Sequence, residues 1–191
     1  MINSKEDRRI RITKLAIKES LVELMQTNPI SKISVKMICD AADINRSTFY
    51  AHYQDQYDLL TKIEKEVITD IKEHVLPISF IEQSVTALSM FTQMLEYVKA
   101  NAPLFKVLLS GNGDASFQNE LMYLGQEKLI EELSDENQLD PRVMKYLELY
   151  AISGVESIVY RWVTDGCIDE TDKLSEMIFT LLLTGARGFY K

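Results

Sequence analysis

Residues that carry much enzyme and metal chemistry are scarce in this chain. Its 191 residues include two cysteines, Cys39 and Cys167, and two histidines, His52 and His74. Neither cysteine lies in a CxxC or Cys/His cluster, which excludes a disulfide framework and predicts two buried thiols, with a redox switch as the alternative. The histidines are far apart, and no carboxylate/histidine set has metal-ligand spacing. With no glycine-rich phosphate loop after a strand either, nothing in the sequence indicates catalysis.

Long apolar runs are also missing. No run reaches the roughly 18 residues that span a bilayer. The N-terminal segment has lysine and arginine where a signal peptide would have its apolar core. We therefore expect a cytoplasmic protein without a membrane partner.

Strand patterns are equally hard to find. No segment alternates apolar and polar residues over a sustained length between hairpin turns, whereas apolar residues recur every three or four positions through most of the chain. Hydrophobic residues make up 46% of the sequence, which indicates a folded core. The sequence predicts an all-α fold.

What the sequence does contain is a helix-turn-helix pattern between Ser34 and Tyr53. Ser34 precedes an apolar periodic segment and is predicted to cap one helix, and Asn45 is predicted to cap the next. Between them the chain must reverse within about three residues, and Asp43 is of a type that tolerates the positive φ such a turn needs. In units of this kind the second helix enters the major groove of DNA.

Side chains on the outer faces of this unit are predicted to bind double-stranded DNA. Arg46 and Ser47 are expected to read base edges, and Ala51 to pack on a thymine methyl group. The other five candidates are expected to contact the phosphate backbone. The candidate DNA-binding residues are Ser34, Lys36, Arg46, Ser47, Thr48, Tyr50, Ala51 and His52.

The segment from Arg46 to Tyr53, RSTFYAHY, resembles the recognition segment of the TetR family of bacterial one-component regulators. The likeness extends over residues 1–60. Two positions depart from the family pattern, which usually has glycine where Asp43 stands and lysine where Gln56 stands. Asp43 is expected to adopt the backbone conformation of the turn at a modest cost in stability. Gln56 removes a cation, which implies weaker contacts with phosphate.

The charge distribution is compatible with DNA binding despite a net charge of −8. Residues 1–62 carry ten lysines and arginines against eight acidic residues, a net charge of +2, so the remainder carries −10. Nucleic-acid-binding domains commonly have a basic surface. The acidity therefore belongs to the rest of the chain, and the mildly basic N-terminal part can face DNA.

Helix breakers divide the chain into a head, a linking helix and a body. We predict a three-helix helix-turn-helix head over residues 1–60 and a helical effector-binding and dimerisation body over residues 61–191. The linking helix is predicted to begin after Asp55 and to run to about residue 75. Gly166 is expected to close a body helix as a left-handed cap. The body helices are predicted near residues 81–100, 102–110, 115–133, 141–165 and 171–190, with a loop at 110–114.

Segments 97–113 and 154–166 resemble a C-terminal domain typical of TetR-family members from Firmicutes. Relatives of that type include co-activators of sugar-kinase operons. The resemblance therefore leaves the sign of regulation open.

The last two predicted helices carry apolar residues at three- and four-residue steps. The family resemblance implies a four-helix interface with a second subunit, and the alternative is that these helices close the chain's own core. A homodimer would place two recognition helices about 34 to 36 Å apart on a palindromic operator. The candidate dimer-interface residues are Val155, Ile158, Trp162, Met177, Ile178, Leu181, Leu182 and Gly185.

Methionine and aromatic residues in the body have the chemistry of a small-molecule cavity, although ordinary core has the same pattern. Because few charged residues lie among them, the expected effector is small and largely apolar, and no other cofactor or metal is predicted. The candidate ligand-binding residues are Met90, Phe91, Met94, Phe105, Leu109, Phe117, Tyr123, Tyr146 and Tyr150.

The sequence thus predicts a DNA-binding transcriptional regulator without enzymatic activity, most simply a ligand-responsive repressor that binds its operator as a dimer. One alternative is a TetR-like co-activator that works through a partner protein. Another is a helical adaptor that does not bind DNA, for which salt-sensitive duplex binding would be absent.

Overall fold

The computed structural model describes residues 4–75, 87–110, 117–121, 123 and 141–186. The regular elements in these ranges are helical, which confirms the all-α prediction, and none of the helices is long and apolar enough to cross a membrane. They are α1 (Ser4–Met25), a 3-10 turn (Ile30–Lys32), α2 (Val35–Ala41), α3 (Arg46–Tyr50), α4 (Gln56–Asp70) with a π-helical turn (Ile71–Val75), α5 (Ala87–Ala100), α6 (Ala102–Leu108), α7 (Pro141–Thr164) and α8 (Thr171–Ala186).

Parts of the predicted body lie outside the described residues. These parts are residues 81–86 and 187–190 of two predicted helices, residues 111–114 of the predicted loop, and most of the helix predicted near 115–133, of which 117–121 are helical. The boundaries that the structure does describe agree with the predicted ones to within a few residues, as is usual for helix ends.

Side-chain caps fix the starts of α2 and α4. Ser34 Oγ accepts a hydrogen bond from the amide of Met37 at 3.3 Å. Asp55 Oδ1 accepts bonds from the amides of Tyr57 and Asp58 at 2.9 and 2.8 Å. Both caps satisfy amide groups that a helix end leaves without partners, as predicted. Asn45 occupies the cap position of α3, but its side chain makes no capping bond, so that part of the prediction is wrong.

Left-handed backbone conformations occur at the two turns where the sequence predicts them. Asp43, between α2 and α3, has φ of 52°. Gly166, after α7, has φ of 90°, and the following Cys167 has φ of 55°. A non-glycine residue in this region is uncommon, so the positive φ of Cys167 is a feature that the sequence did not indicate.

The chain divides into two compact units, Met1–Val67 and Ile68–Lys191, with the division inside α4. In the first unit α1 packs on α2, and α2 packs on α3. An ion pair between Lys18 and Glu66 joins α1 to α4. The core of this unit is built from fully buried side chains that include Ile17, Leu21, Ile38, Phe49 and Leu59.

In the second unit α5 packs on α8, and α6 packs on α7. The π-helical turn packs on α5, and the hydroxyl of Tyr97 donates to Asp70 Oδ2 at 3.2 Å. Thr92 of α5 donates to Ser175 Oγ of α8 at 2.9 Å, so this helix pair is joined by a polar contact as well as by apolar packing. Phe105 and Leu108 are fully buried in this unit.

Candidate nucleic-acid interface

Aromatic packing positions the short helix α3. Its five residues are too few to form a stable helix alone, so tertiary contacts must hold it. The ring of Phe49 is fully buried and meets the rings of Tyr50 and Tyr53 at centroid distances of 5.7 and 5.6 Å. Phe49 thereby anchors α3 in the core and leaves Tyr50 57% exposed on the outer side.

An open cleft of about 450 Å³ lies between the start of α2 and the outer side of α3. Ser34 and Lys36 line it from the α2 side, and Arg46 and Tyr50 line it from α3. The structure therefore brings together four of the eight candidate DNA-binding residues. This arrangement follows from the turn at Asp43, which folds α3 back beside α2.

The cleft has the chemistry of an anion site. Lys32, Lys36 and Arg46 are cations, and no acidic residue is among the residues that line the cleft. Ser34 Oγ accepts from a backbone amide, which leaves its hydroxyl hydrogen for an acceptor outside the chain. Tyr50 can also donate from its exposed hydroxyl. These donors suit phosphate oxygens of a nucleic-acid backbone.

The other four candidates do not line this cleft. Ser47 and Ala51 are exposed on α3 and at its end, whereas Thr48 and His52 are half-buried. Their roles at a DNA surface stay predictions. Because successive helix residues point in different directions, one short helix can serve both a phosphate cleft and a separate base-reading face.

Sequence reasoning did not single out Lys32. Lys32 ends the 3-10 turn and lines the cleft, which restores a cation to a site where Gln56, also in the lining, contributes an amide. The spacing of Lys32 and Lys36, four residues apart in a basic segment, was the available signal. A turn without helical periodicity separates them, so the spacing did not predict a shared cleft.

The segment that follows α3 is held by an ion pair that the sequence did not indicate. Lys62 Nζ donates to the carbonyl oxygen of His52 at 3.1 Å and to Asp58 Oδ2 at 2.9 Å. It also lies 5.2 Å from the ring centroid of Tyr53. Asp58 Oδ2 accepts from the amide of Gln54 at 2.9 Å as well. Hydrogen bonds from Lys62 and from the Gln54 amide lower the pKa of Asp58.

Residues predicted to line an effector cavity fall into three groups. Phe105, Leu109 and Phe117 are buried, and Met90, Phe91 and Met94 are half-buried on α5. The tyrosines at 123, 146 and 150 are 62%, 73% and 58% exposed. Because the side chains of these three tyrosines are exposed, their assignment to the effector site stays a prediction.

The predicted dimer-interface residues also divide by burial. Trp162, Ile178 and Leu182 are buried within the chain itself, and the indole N–H of Trp162 donates to the carbonyl of Asp169. These three side chains belong to the chain's own core, as in the alternative that the sequence left open, and their place at a dimer interface stays a prediction. Met177 and Leu181 are 48% and 46% exposed, and Val155 and Ile158 are half-buried. The burial of Gly185 lies outside what the structure describes.

Comparisons with known proteins agree with this architecture. Residues 86–184, more than half of the chain, match the family model TetR_C_8, described as a transcriptional regulator C-terminal region. No curated protein matches the sequence. Solved structures do match across nearly the whole chain.

Three of these structures illustrate the likeness. A TetR transcriptional regulator from Streptococcus agalactiae 2603V has 23% identity and a TM-score of 0.66, over 94% of this chain and 99% of that one. FadR from Bacillus subtilis, in complex with stearoyl-CoA, has 17% identity and a TM-score of 0.64, over 90% and 98%. The dihydroxyacetone kinase operon activator DhaS has 20% identity and a TM-score of 0.58, over 94% and 98%.

At these identities the three structures support the fold, and the family model supports the assignment. Because that model covers more than half of its length, the chain belongs to the TetR family of transcriptional regulators.

Proposed function

We propose that this regulator binds double-stranded DNA through α2 and α3, and that it does so as a homodimer whose affinity depends on a small effector. The observation that carries the proposal is the cleft in which Lys32, Lys36 and Arg46 converge with two hydroxyl groups. Phosphate contacts in such a cleft fix the position of a recognition helix, and side chains on its other face read base edges.

The exposed side of α7 supports the homodimer. This side carries Tyr146, Tyr150, Ser153, Ser157 and Tyr160, which are spaced by three or four residues. A row of aromatic and small residues along one side of a helix suits a second helix better than water. This side is opposite to the one that holds Trp162, so the interface expected from the sequence moves to the other face of α7.

Gly154 beside this row also favours close approach of a partner. A Cβ atom added at Gly154 would meet nothing within 4 Å, so packing within the chain does not require its small size. Glycine within a helix lowers the free energy of unfolding by about 0.5–1 kcal/mol relative to alanine, so a glycine at this position calls for an explanation. Contact with a helix of a second chain supplies one.

The exposed side of α8 is also suited to contact with a second chain. Met177 and Leu181 are apolar, and the hydroxyl groups of Thr180 and Thr184 donate to backbone carbonyls of α8 itself. Because these hydroxyls already have partners, burying them against a second chain would leave no unpaired donor. Together α7 and α8 offer the two helices that each chain of a four-helix interface needs.

For the effector we propose a largely apolar molecule bound in the second unit. Half-buried Met90, Phe91 and Met94 offer adaptable apolar surface on α5, and Phe91 meets Phe179 of α8 at a centroid distance of 5.9 Å. FadR from Bacillus subtilis, a relative in fold, is described with stearoyl-CoA, which makes that compound the first probe. We expect stearoyl-CoA to raise the melting temperature of the wild-type protein, and to do so less in Phe91→Ala.

The sign of regulation is a separate question. Repression is the simpler proposal, because a bound dimer blocks a promoter without further partners. DhaS, another relative in fold, is named as an operon activator, so a co-activator that works through a partner protein is the second candidate. A promoter–reporter fusion with the purified transcription machinery discriminates them, since repression lowers transcript without any added protein.

Selection from a random-sequence duplex pool tests DNA binding without knowledge of the operator. The proposal predicts recovery of a palindromic motif whose half-sites are separated by about one helical turn or a multiple of it. Binding to the selected duplex should weaken steeply with salt, because phosphate contacts release counterions. A pool that yields no enriched motif, or binding that does not respond to salt, would overturn the proposal and favour the helical adaptor.

A further inference from the structure

We propose that Lys62 is a positioning residue for DNA binding, which holds the end of the recognition helix α3 without touching DNA. The inference rests on the proposed DNA binding by α2 and α3. Lys62 belongs to α4, ten residues after His52 in sequence, and is not among the residues that line the cleft.

The contacts of Lys62 converge on the chain just after α3. Its ammonium group donates to the carbonyl oxygen of His52 at 3.1 Å. Carbonyl groups at the end of a helix lack partners within the helix, so a lysine that donates to one of them stabilises the helix end. The lysine stem passes beside Tyr53, with Nζ 5.2 Å from the ring centroid, and this cation–π contact restricts the ammonium to one side of the segment.

Asp58 also binds the segment after α3, through the backbone of Gln54. Its Oδ2 atom accepts from Lys62 Nζ at 2.9 Å and from the amide of Gln54 at 2.9 Å. One carboxylate and one ammonium therefore connect α4 to the backbone at two points, His52 and Gln54. Since α4 begins at a capped, ordered helix end, the connection fixes the exit of α3 relative to a rigid element.

The ammonium of Lys62 already has a carbonyl and a carboxylate as partners, which distinguishes it from the cations of the cleft. Lys36 and Arg46 line open space, whereas Lys62 is bonded to its own chain. Its charge is also offset by Asp58 at 2.9 Å. Lys62 should therefore influence affinity through the placement of α3, and it should contribute little to counterion release.

Two variants and one control separate positioning from direct contact. Lys62→Met keeps the apolar stem and removes the charge and the donors, and Lys62→Arg restores both. Lys72→Met removes an ammonium group of similar exposure that is also paired with a carboxylate, Glu120 at 2.9 Å, but belongs to the second unit. The probe is the duplex that the wild-type protein selects from a random-sequence pool, titrated by fluorescence anisotropy at several salt concentrations.

We expect Lys62→Met to weaken binding by about threefold to tenfold, the size of effect that a hydrogen-bonded charge at a partly exposed site commonly has. The slope of log affinity against log salt should stay unchanged. Lys62→Arg should recover most of the affinity, and Lys72→Met should bind like the wild type. In the unbound protein, Lys62→Met should raise the pKa of Asp58 and speed hydrogen exchange of the Gln54 amide.

Wild-type affinity in Lys62→Met overturns the inference while leaving DNA binding intact. A salt slope lower by about 0.9 overturns it differently, because it would make Lys62 a phosphate contact. An equal loss in Lys72→Met would attribute the effect to net charge and would also overturn the inference. Failure of the wild-type protein to select any duplex overturns the proposed function itself, and this inference with it.

Discussion

The amide of Ile44 donates to the carbonyl oxygen of Cys39 at 3.0 Å and closes the turn between α2 and α3. Asp43, inside this turn, has φ of 52°. The hydrogen bond and the left-handed residue set the direction in which α3 leaves α2, and the cleft depends on that direction. The conformation of one residue is thus connected to the proposed DNA contacts.

Replacing Asp43 by glycine should stabilise the protein. Glycine adopts positive φ without the steric penalty that other residues have there, so Asp43→Gly should raise the free energy of unfolding by up to about 1 kcal/mol. Asp43→Val, with a β-branched side chain, should lower it by at least as much. Urea denaturation of the three proteins measures both changes. Equal stability of all three would contradict a left-handed turn at this position.

Several features of the head could be predicted from sequence because they depend on local chemistry. The caps at Ser34 and Asp55 and the turn at Asp43 follow from the preferences of those residue types over a few neighbouring positions. Asn45 has the right type and position yet makes no capping bond, because the orientation of its side chain is decided by tertiary surroundings. The bond from Lys62 to the carbonyl of His52 was beyond prediction for the same reason, since the turn before α4 separates these two residues.

In the body, periodicity identified the helices but not their buried faces. Helix α7 has apolar or aromatic residues on opposite sides, with Trp162 on one and Tyr146 and Tyr150 on the other. Hydrophobic spacing alone cannot say which side faces the core when both are apolar. The sequence therefore predicted that the tyrosines line an effector cavity and that the tryptophan lies at a dimer interface, whereas in the structure the tyrosines are exposed and the tryptophan is buried within the chain.

Alkaline pH should destabilise the protein through Tyr97. Burial, the charge of Asp70 and the hydrogen bond to Asp70 raise the pKa of Tyr97 from 10.0 to about 12. The folded state then holds a proton that the unfolded state loses, so the contribution of Tyr97 to stability should be constant below pH 10 and should be lost between about pH 10 and 12. Tyr97→Phe should lose less stability over this range, measured by urea denaturation at each pH. Tyr57→Phe, at a site that is 48% exposed, is the matched control.

An identical alkaline profile in Tyr97→Phe and the wild type would contradict this assignment. Tyr53 does not interfere with the comparison, although burial and the charges of Glu66 and Asp58 raise its pKa to about 12 as well. Its contribution is present in all three proteins and cancels.

A charge on the exposed side of α8 should separate the dimer. Leu181→Glu would bury a carboxylate between two chains, which is costly without a partner, so the protein should sediment as a monomer at concentrations where the wild type is a dimer. Ile168→Glu introduces the same charge at a residue that is 80% exposed in the turn between α7 and α8, and it should stay dimeric. A dimeric Leu181→Glu would exclude this face from the interface.

Both thiols should resist alkylation in the folded protein. Cys39 and Cys167 are buried, and burial is the largest cause of the raised pKa of each thiol, so little thiolate is present near neutral pH. We expect reaction with iodoacetamide to be slow in the native state and fast in urea. Native alkylation at the rate of free cysteine would support the redox switch that the sequence left as an alternative.

The most direct test of the account compares Ser47→Ala with Lys36→Ala on the selected duplex and on its single-base variants. Ser47 is exposed on α3 outside the cleft and is predicted to read a base edge, so Ser47→Ala should weaken binding to the selected duplex by about 1 kcal/mol and relax discrimination at one base position. Lys36→Ala should weaken binding to every sequence and lower the salt slope by about 0.9. Anisotropy titrations measure both quantities. Equal losses on every sequence in Ser47→Ala, or no loss in either variant, would contradict a sequence-reading α3 beside a phosphate-binding cleft.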